Sequence, residues 1–205
     1  MPLEEYRSKR KFDKTPEPAG RNRGRAARNR DFVVQKHAAS RLHYDFRLEI
    51  KGVLASWAVP KGPSLTPGVK RLAIRTEDHP IEYAQFEGVI PEGQYGAGTV
   101  MVWDKGTYAP DGNLAPEQQL ARGQIKAILH GKKLRGGFVL VYPGIRFGES
   151  GEKARWLLIK RRDEDANPAW EIEDPALDRS VTTGRTLKEI QMGEPAKRQV
   201  KGATR

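Results

Sequence analysis

The sequence predicts a mainly β protein: a compact closed barrel of about eight short, mostly antiparallel strands with little helix, flanked by basic N- and C-terminal arms. Three observations carry this expectation. Short runs with period-two alternation recur from Asp31 to Lys160. Gly and Pro punctuate them, at Pro60, Gly62, Pro63, Pro67, Gly68, Pro80, Pro91, Gly93, Gly96, Gly98, Gly131, Gly136 and Pro143. The main helical candidate is Pro116–Arg122, with Gly123 as its stop. Many short strands with almost no helix are most stable when closure removes their edges.

Taken in order, residues 1–30 form a basic arm with little apolar content, expected to be largely extended or disordered on its own. Tyr6 and Phe12 are its candidates for anchoring to the body. Residues 31–175 form the barrel. Its expected strands are Phe32–Gln35, Arg41–Glu49, Val53–Val59, Leu72–Thr76, Thr99–Trp103, Gln124–His130, Phe138–Tyr142 and Trp156–Lys160. The segment G-K-K-L-R-G makes a hairpin between the sixth and seventh. Trp57, Trp103 and Trp156 lie within strand runs and read as core, and Trp170 and Ile172 dock on the barrel. Residues 176–205 form a basic tail, ordered at most around Thr186–Ile190.

The chain has 205 residues and no cysteine, which excludes disulfides, zinc–thiolate sites and cysteine nucleophiles. No apolar run approaches membrane-spanning length, so a cytoplasmic, nucleoid-associated protein is expected. The net charge is +11, of which residues 1–30 hold +6 and residues 176–205 hold +4. Basic arms around a nearly neutral body point to a polyanion, nucleic acid first, with the arms supplying affinity rather than chemistry.

The chemistry concentrates in R-L-H-Y-D-F-R-L-E, Arg41–Glu49. Leu42, Tyr44, Phe46 and Leu48 form one face, and His43, Asp45, Arg47 and Glu49 the other. His43 and Asp45 can bind one metal ion, and Arg47 can hold an anion on that metal. His37 precedes a four-residue turn that can return it to this row, which completes H-x5-H-x-D. Nitrogen and oxygen ligands suit Mn²⁺, Fe²⁺ or Zn²⁺, and three ligands leave positions open for catalysis. A second polar strand face is expected from Arg71, Arg75, Glu77 and His79, with Tyr83 following. His130 reads as structural. P-E-G-Q-Y-G-A-G precedes a strand rather than a helix, so its glycines serve a bend or bulge and not a nucleotide.

K-H-A-A-S-R-L-H-Y-D-F-R-L-E, W-A-V-P-K-G-P-S, T-E-D-H-P-I-E-Y and F-E-G-V-I-P-E-G-Q-Y-G-A-G-T-V together resemble the 3′-phosphoesterase domain of bacterial DNA ligase D, which also occurs as a free-standing homologue. The likeness extends to E-Y-R-S-K-R-K-F, W-L-L-I-K-R-R-D and S-V-T-T-G-R-T-L. It implies a β barrel with a manganese-dependent site that heals DNA 3′ ends by removing a terminal ribonucleoside and then the 3′-phosphate. By motif position it implies His37, His43 and Asp45 as metal ligands and Arg47, His79 and Tyr83 as catalytic residues. It further implies Gln35, Lys61, Arg71 and Glu77 as supports lining the site, with Arg10 and Glu17 closing over it. The chain departs from the pattern at Lys11, where an acidic residue is implied. A K-x-D-G ligase motif is absent, so a Ku-type protein and a separate DNA ligase are implied partners. Two other readings compete. One is a non-haem iron oxygenase built on His43, Asp45 and a distant His79 or His130. The other is a non-catalytic nucleic-acid-binding barrel.

Overall fold

The computed structural model describes residues 3–20, 30–144 and 154–197, so residues 1–2, the arginine-rich run 21–29, residues 145–153 and residues 198–205 lie outside the described residues. In chain order the elements are α1 (Glu4–Ser8), β1 (Asp31–Ala38), β2 (Leu42–Ile50), β3 (Val53–Val59), β4 (Lys70–Pro80), a 3-10 helix (Ile81–Gln85), β5 (Gly88–Ile90) and β6 (Gly98–Pro110). Then come α2 (Pro116–Ala121), β7 (Gln124–Gly131), β8 (Arg135–Val141), β9 (Arg155–Lys160), a 3-10 turn (Pro175–Leu177) and α3 (Leu187–Gln191). The strands run β1-β2-β3-β4-β9-β8-β7-β6, and β1 pairs β6 to close an eight-stranded barrel. Every one of these pairings is antiparallel.

The sequence reading misses α1, the 3-10 helix and β5, and it cuts β6 short. β5 is only three residues long and joins the edge of β6 that β7 uses further along. β6 itself runs well beyond Trp103, because its continuation, K-G-T-Y-A-P, still pairs with β1 and β7. The helix at Pro116 and the hairpin from Gln124 stand where the sequence puts them.

Alternation explains the barrel's sidedness. Phe32, Val34, Tyr44, Phe46, Leu48, Trp57, Met101, Trp103, Phe138 and Trp156 meet in the barrel interior. The opposite parity faces outward. On β1 and β2, however, that outer wall is also covered. Tyr6, Tyr83, Phe86, Ile90 and Val181 pack on Val33, Leu54, Val100 and Val102 there and form a second apolar cluster. β2 is therefore buried on both faces, and its polar row lies inside the protein but outside the barrel.

The N-terminal arm is not a separate extended strand in residues 3–20. Tyr6 is fully buried, and its hydroxyl donates to the Pro18 carbonyl at 2.7 Å. Burying one aromatic side chain is worth roughly 4–6 kcal/mol before ordering entropy is subtracted. That is enough to dock a segment whose composition alone argues against order.

The tail is likewise part of the fold well beyond Thr186–Ile190. Ile190 enters the barrel core and Val181 the outer cluster. Lys133 donates to the Leu177 and Arg179 carbonyls, both at 2.7 Å, and Lys36 pairs with Asp178 at 2.6 Å. Three tail cations are spent internally, Arg185 on Glu87 and both Arg179 and Lys197 on Glu189. Among the described residues, no helix is long and apolar enough to cross a membrane.

Candidate active site

β1 and β2 place the three candidate metal ligands. Their antiparallel register sets His37 directly opposite His43 and Gln35 opposite Asp45. The turn at 39–41 thus returns His37 to the head of the row, as its spacing from His43 suggests. One ligand atom from each of His37, His43 and Asp45 lies within 4.8 Å of the others. His37 Nδ1 is 3.5 Å from Asp45 Oδ2, and His43 Nε2 is 3.8 Å from Asp45 Oδ1.

Backbone carbonyls hold both rings. His37 Nε2 meets the Gly96 carbonyl at 3.0 Å, and His43 Nδ1 meets the Arg41 carbonyl at 2.8 Å. A carbonyl only accepts, so those nitrogens carry the protons. The other nitrogen of each neutral ring then turns a lone pair toward Asp45. Two lone pairs facing one carboxylate is an arrangement that a cation completes, with outer hydrogen bonds orienting the imidazoles. Burial raises the Asp45 pKa, but the carboxylate's contacts, the Arg47 guanidinium foremost, outweigh it and hold the carboxyl well below its ordinary range. The donor set therefore fits a divalent metal ion.

Arg47, 2 % exposed, reads out the next layer. Its Nη2 contacts Asp45 Oδ2 at 3.1 Å, Nε donates to Gln35 Oε1 at 2.8 Å, and Nη1 donates to Ser56 Oγ at 2.8 Å. Gln35 is itself fixed, because its amide donates to the Tyr83 and Phe86 carbonyls at 3.1 and 2.9 Å. It is a positioning residue for Arg47 rather than a cavity-lining group.

His79 lies between two guanidiniums. Arg47 Nη1 is 2.9 Å from Nδ1, and Arg10 Nη2 is 3.3 Å from Nε2. The Glu77 carbonyl also lies 2.9 Å from Nδ1, so the ring proton sits on Nδ1 toward that carbonyl or on Nε2 with Nδ1 accepting from Arg47. Both forms are neutral. Burial, then Arg47 and Arg10, pushes the His79 pKa well below its usual value. The Tyr83 hydroxyl donates to Glu17 Oε1 at 2.9 Å, and burial with the Glu17 charge keeps this phenol protonated. Arg10 joins Glu17 at 2.8 Å to Glu77 at 3.0 Å, so the arm is stitched across the site by charge.

A cavity of about 280 Å³ opens among these groups, lined in part by Arg10, His37, His43, Asp45, Arg47, Glu77, His79 and Tyr83. Lys61 and Arg71 are not among its lining residues. For Arg71 the reason is a β-bulge. Across from β3, Ser56 pairs with Thr76 but Leu54 pairs with His79, which inserts an extra residue in β4. The parity flips there. Arg71 and Arg75 share the side of Ala73, a barrel-core residue, while His79 turns to the outer wall. Arg75 instead lies over the Trp57 ring at 5.0 Å. A bulge is invisible to strict alternation, so the expected common face of Arg71 and His79 is corrected. Lys61 is exposed in the turn after β3. His130 is exposed on β7, and His37 rather than His79 or His130 completes the His43–Asp45 set.

Ser56, Thr76, Tyr95 and Gly96 were missed as site residues. Ser56 had one sequence signal, its polar position on β3 opposite Arg47. The Gly96 carbonyl acts through its backbone and left no side-chain signal. Gly98 does serve the backbone: its φ is +142°, and a Cβ there would collide with the Ala38 carbonyl.

Residues 35–142 match the model of the DNA ligase D 3′-phosphoesterase domain. The multifunctional non-homologous end joining protein LigD of Pseudomonas aeruginosa is 51 % identical over 166 residues, 80 % of this chain and 19 % of the relative. The LigD proteins of Mycolicibacterium smegmatis and Mycobacterium tuberculosis are 47 % and 41 % identical over 143 and 174 residues, covering 68 % and 85 % of this chain. The chain spans about a fifth of the length of these relatives, 19–22 %. With that likeness covering the strands that carry His37, His43, Asp45, Arg47, His79 and Tyr83, the chain belongs to the DNA ligase D 3′-phosphoesterase domain family.

Proposed function

We propose that this chain is a manganese-dependent phosphoesterase that heals DNA 3′ ends, removing a terminal ribonucleoside and then the remaining 3′-phosphate to leave a 3′-hydroxyl. The observation that carries the reading is the convergence of two imidazole lone pairs and one carboxylate beside a buried arginine. His37 Nδ1, His43 Nε2 and an Asp45 oxygen would hold the metal. Imidazole and carboxylate ligands with open positions suit Mn²⁺, with other divalent transition metals as competitors. When bound, such an ion polarises a phosphoryl oxygen and activates water.

The chain's own residues account for the rest. Arg47 is locked by Gln35 and Ser56 and presents fixed positive charge to the phosphate in both steps. In the first step water adds to phosphorus, the P–O5′ bond breaks, and the leaving oxygen takes a proton. In the second, water adds again and the bond to the 3′ oxygen breaks. His79 starts neutral, so it first offers a hydrogen bond. An entering phosphate offsets the charge of Arg10 and Arg47, which raises the ring's basicity and lets it carry the proton. Tyr83, kept protonated, becomes a second donor to the phosphate once its hydroxyl turns away from Glu17 Oε1. Arg10, Glu17 and Glu77 keep the arm closed over the cavity, and Lys61 and Arg71 take no part in this scheme. DNA ends are the substrate class that the +11 charge favours. A Ku-type end-binding protein and a DNA ligase are the proposed partners, since the relatives are end-joining proteins.

The test uses a primer–template ending in one 3′-ribonucleotide, beside the same duplex ending in 3′-phosphate. Chelated protein is expected to be inactive on both and to recover with Mn²⁺. Full turnover after chelation would sink the reading.

A further inference from the structure

Tyr95 has no role in the scheme above, yet it stands at the cavity with its side chain half in solvent. It lines the cavity and is 49 % exposed, whereas Tyr83, the other tyrosine of the lining, is 2 % exposed. Two cations approach its ring, with Lys9 Nζ 5.1 Å and Arg10 Cζ 5.4 Å from its centroid. Its hydroxyl reaches Glu77 Oε2 at 3.5 Å. Its neighbour Gly96 orients His37, so the ring stands one residue from the metal's outer hydrogen bonds. Turns from Gln94 to Pro91 and from Ala97 to Gln94 fix this loop.

The cavity is about 280 Å³, just below the roughly 300–1,000 Å³ of pockets that enclose a drug-sized ligand. It can take the scissile phosphate and its metal, but the attached nucleoside must lie at the mouth. Which end of the phosphate points there follows from the linked contacts. Arg10 reaches both His79 Nε2 and the Tyr95 ring. The proposed proton donor and the exposed ring therefore both lie at the Arg10 guanidinium.

We infer that Tyr95 is the platform on which the departing terminal nucleoside stacks. The inference rests on the phosphoesterase reading and adds a specificity residue to it. Every base has a π face, so stacking is tolerant of sequence, and the terminal nucleoside is accepted whatever its base. A 3′-phosphate has no such nucleoside, so Tyr95 separates the two steps: it promotes the diester over the monoester.

The experiment measures kcat/KM on the ribonucleoside-terminated and 3′-phosphate duplexes for the wild type, Y95A and Y95F. One base–aromatic stack is worth roughly 5- to 150-fold in affinity. Y95A is expected to lower the diester-to-monoester ratio by that factor, through KM, and Y95F to retain the wild-type ratio. A third substrate, ending in a ribose without a base, should cost the wild type the same factor and cost Y95A nothing further. Turnover of neither duplex by the wild type would defeat the phosphoesterase reading itself. Turnover of both with an unchanged ratio in Y95A, or equal loss in Y95F, would overturn the stacking role alone.

Discussion

Acidification should weaken this fold through one side chain, His79. The ring is 4 % exposed and lies between Arg47 at 2.9 Å and Arg10 at 3.3 Å, both permanently charged. Protonation would bring a third cation into contact with two, at a buried side chain. The unfolded chain has no such obstacle and binds a proton at about pH 6.5. Below that pH the unfolded state holds more protons than the folded state, so stability falls as pH falls. The loss is complete above neither value: it begins near 6.5 and continues down to the depressed folded pKa. From pH 7.5 to 5.5 it amounts to at most about 1.4 kcal/mol for this one group. Glu77 and Asp45 are also shifted, but downward from the ordinary carboxylate range, so their losses come at lower pH. Urea unfolding of chelated protein at pH 7.5, 6.5 and 5.5 measures the slope. His79→Gln cannot take up the proton in either state and should lose this part of the pH dependence. The same slope in wild type and variant, or wild-type stability that rises on acidification, would refute the reasoning.

Four further outcomes are expected. Replacing His37, His43 or Asp45 by Ala should abolish turnover and Mn²⁺ binding while circular dichroism stays native, because each removes one of three ligands. Arg47→Lys keeps the charge but loses the fork that Gln35 and Ser56 hold, so both steps should slow by about 10²–10³-fold in single-turnover assays. Gln35→Leu leaves Arg47 Nε and the Phe86 carbonyl without their Gln35 partner and takes one of two donors from the Tyr83 carbonyl, which should cost roughly 2–5 kcal/mol in urea unfolding. Ile190→Ala, at a residue 3 % exposed in the barrel core, should cost roughly 2–5 kcal/mol in the same assay, whereas a detachable DNA-binding tail would show almost none.

Local pattern was sufficient wherever a residue's role depends on its strand neighbours. Alternation in Arg41–Glu49 separates the barrel-facing Tyr44, Phe46 and Leu48 from the row of His43, Asp45 and Arg47. The spacing of His37 to His43 places them opposite each other because a short turn fixes an antiparallel register. The strand–breaker rhythm was enough for a closed mainly β barrel, since eight short strands have few other ways to bury their edges.

Tertiary structure decided what pattern cannot encode. Alternation gives two faces but does not say whether the polar one meets solvent. Here α1, the 3-10 helix and β5 cover it, which turns a polar strand face into a largely buried site where charges act strongly. The bulge in β4 separates Arg71 from His79, although strict parity puts them together. The Gly96 carbonyl reaches His37 from a distant loop, and Tyr6 and Ile190 draw two basic, polar segments into the fold. In each case the deciding contact joins residues far apart in the chain. Its energy comes from burial or a long-range hydrogen bond, and neither leaves a local periodicity to read.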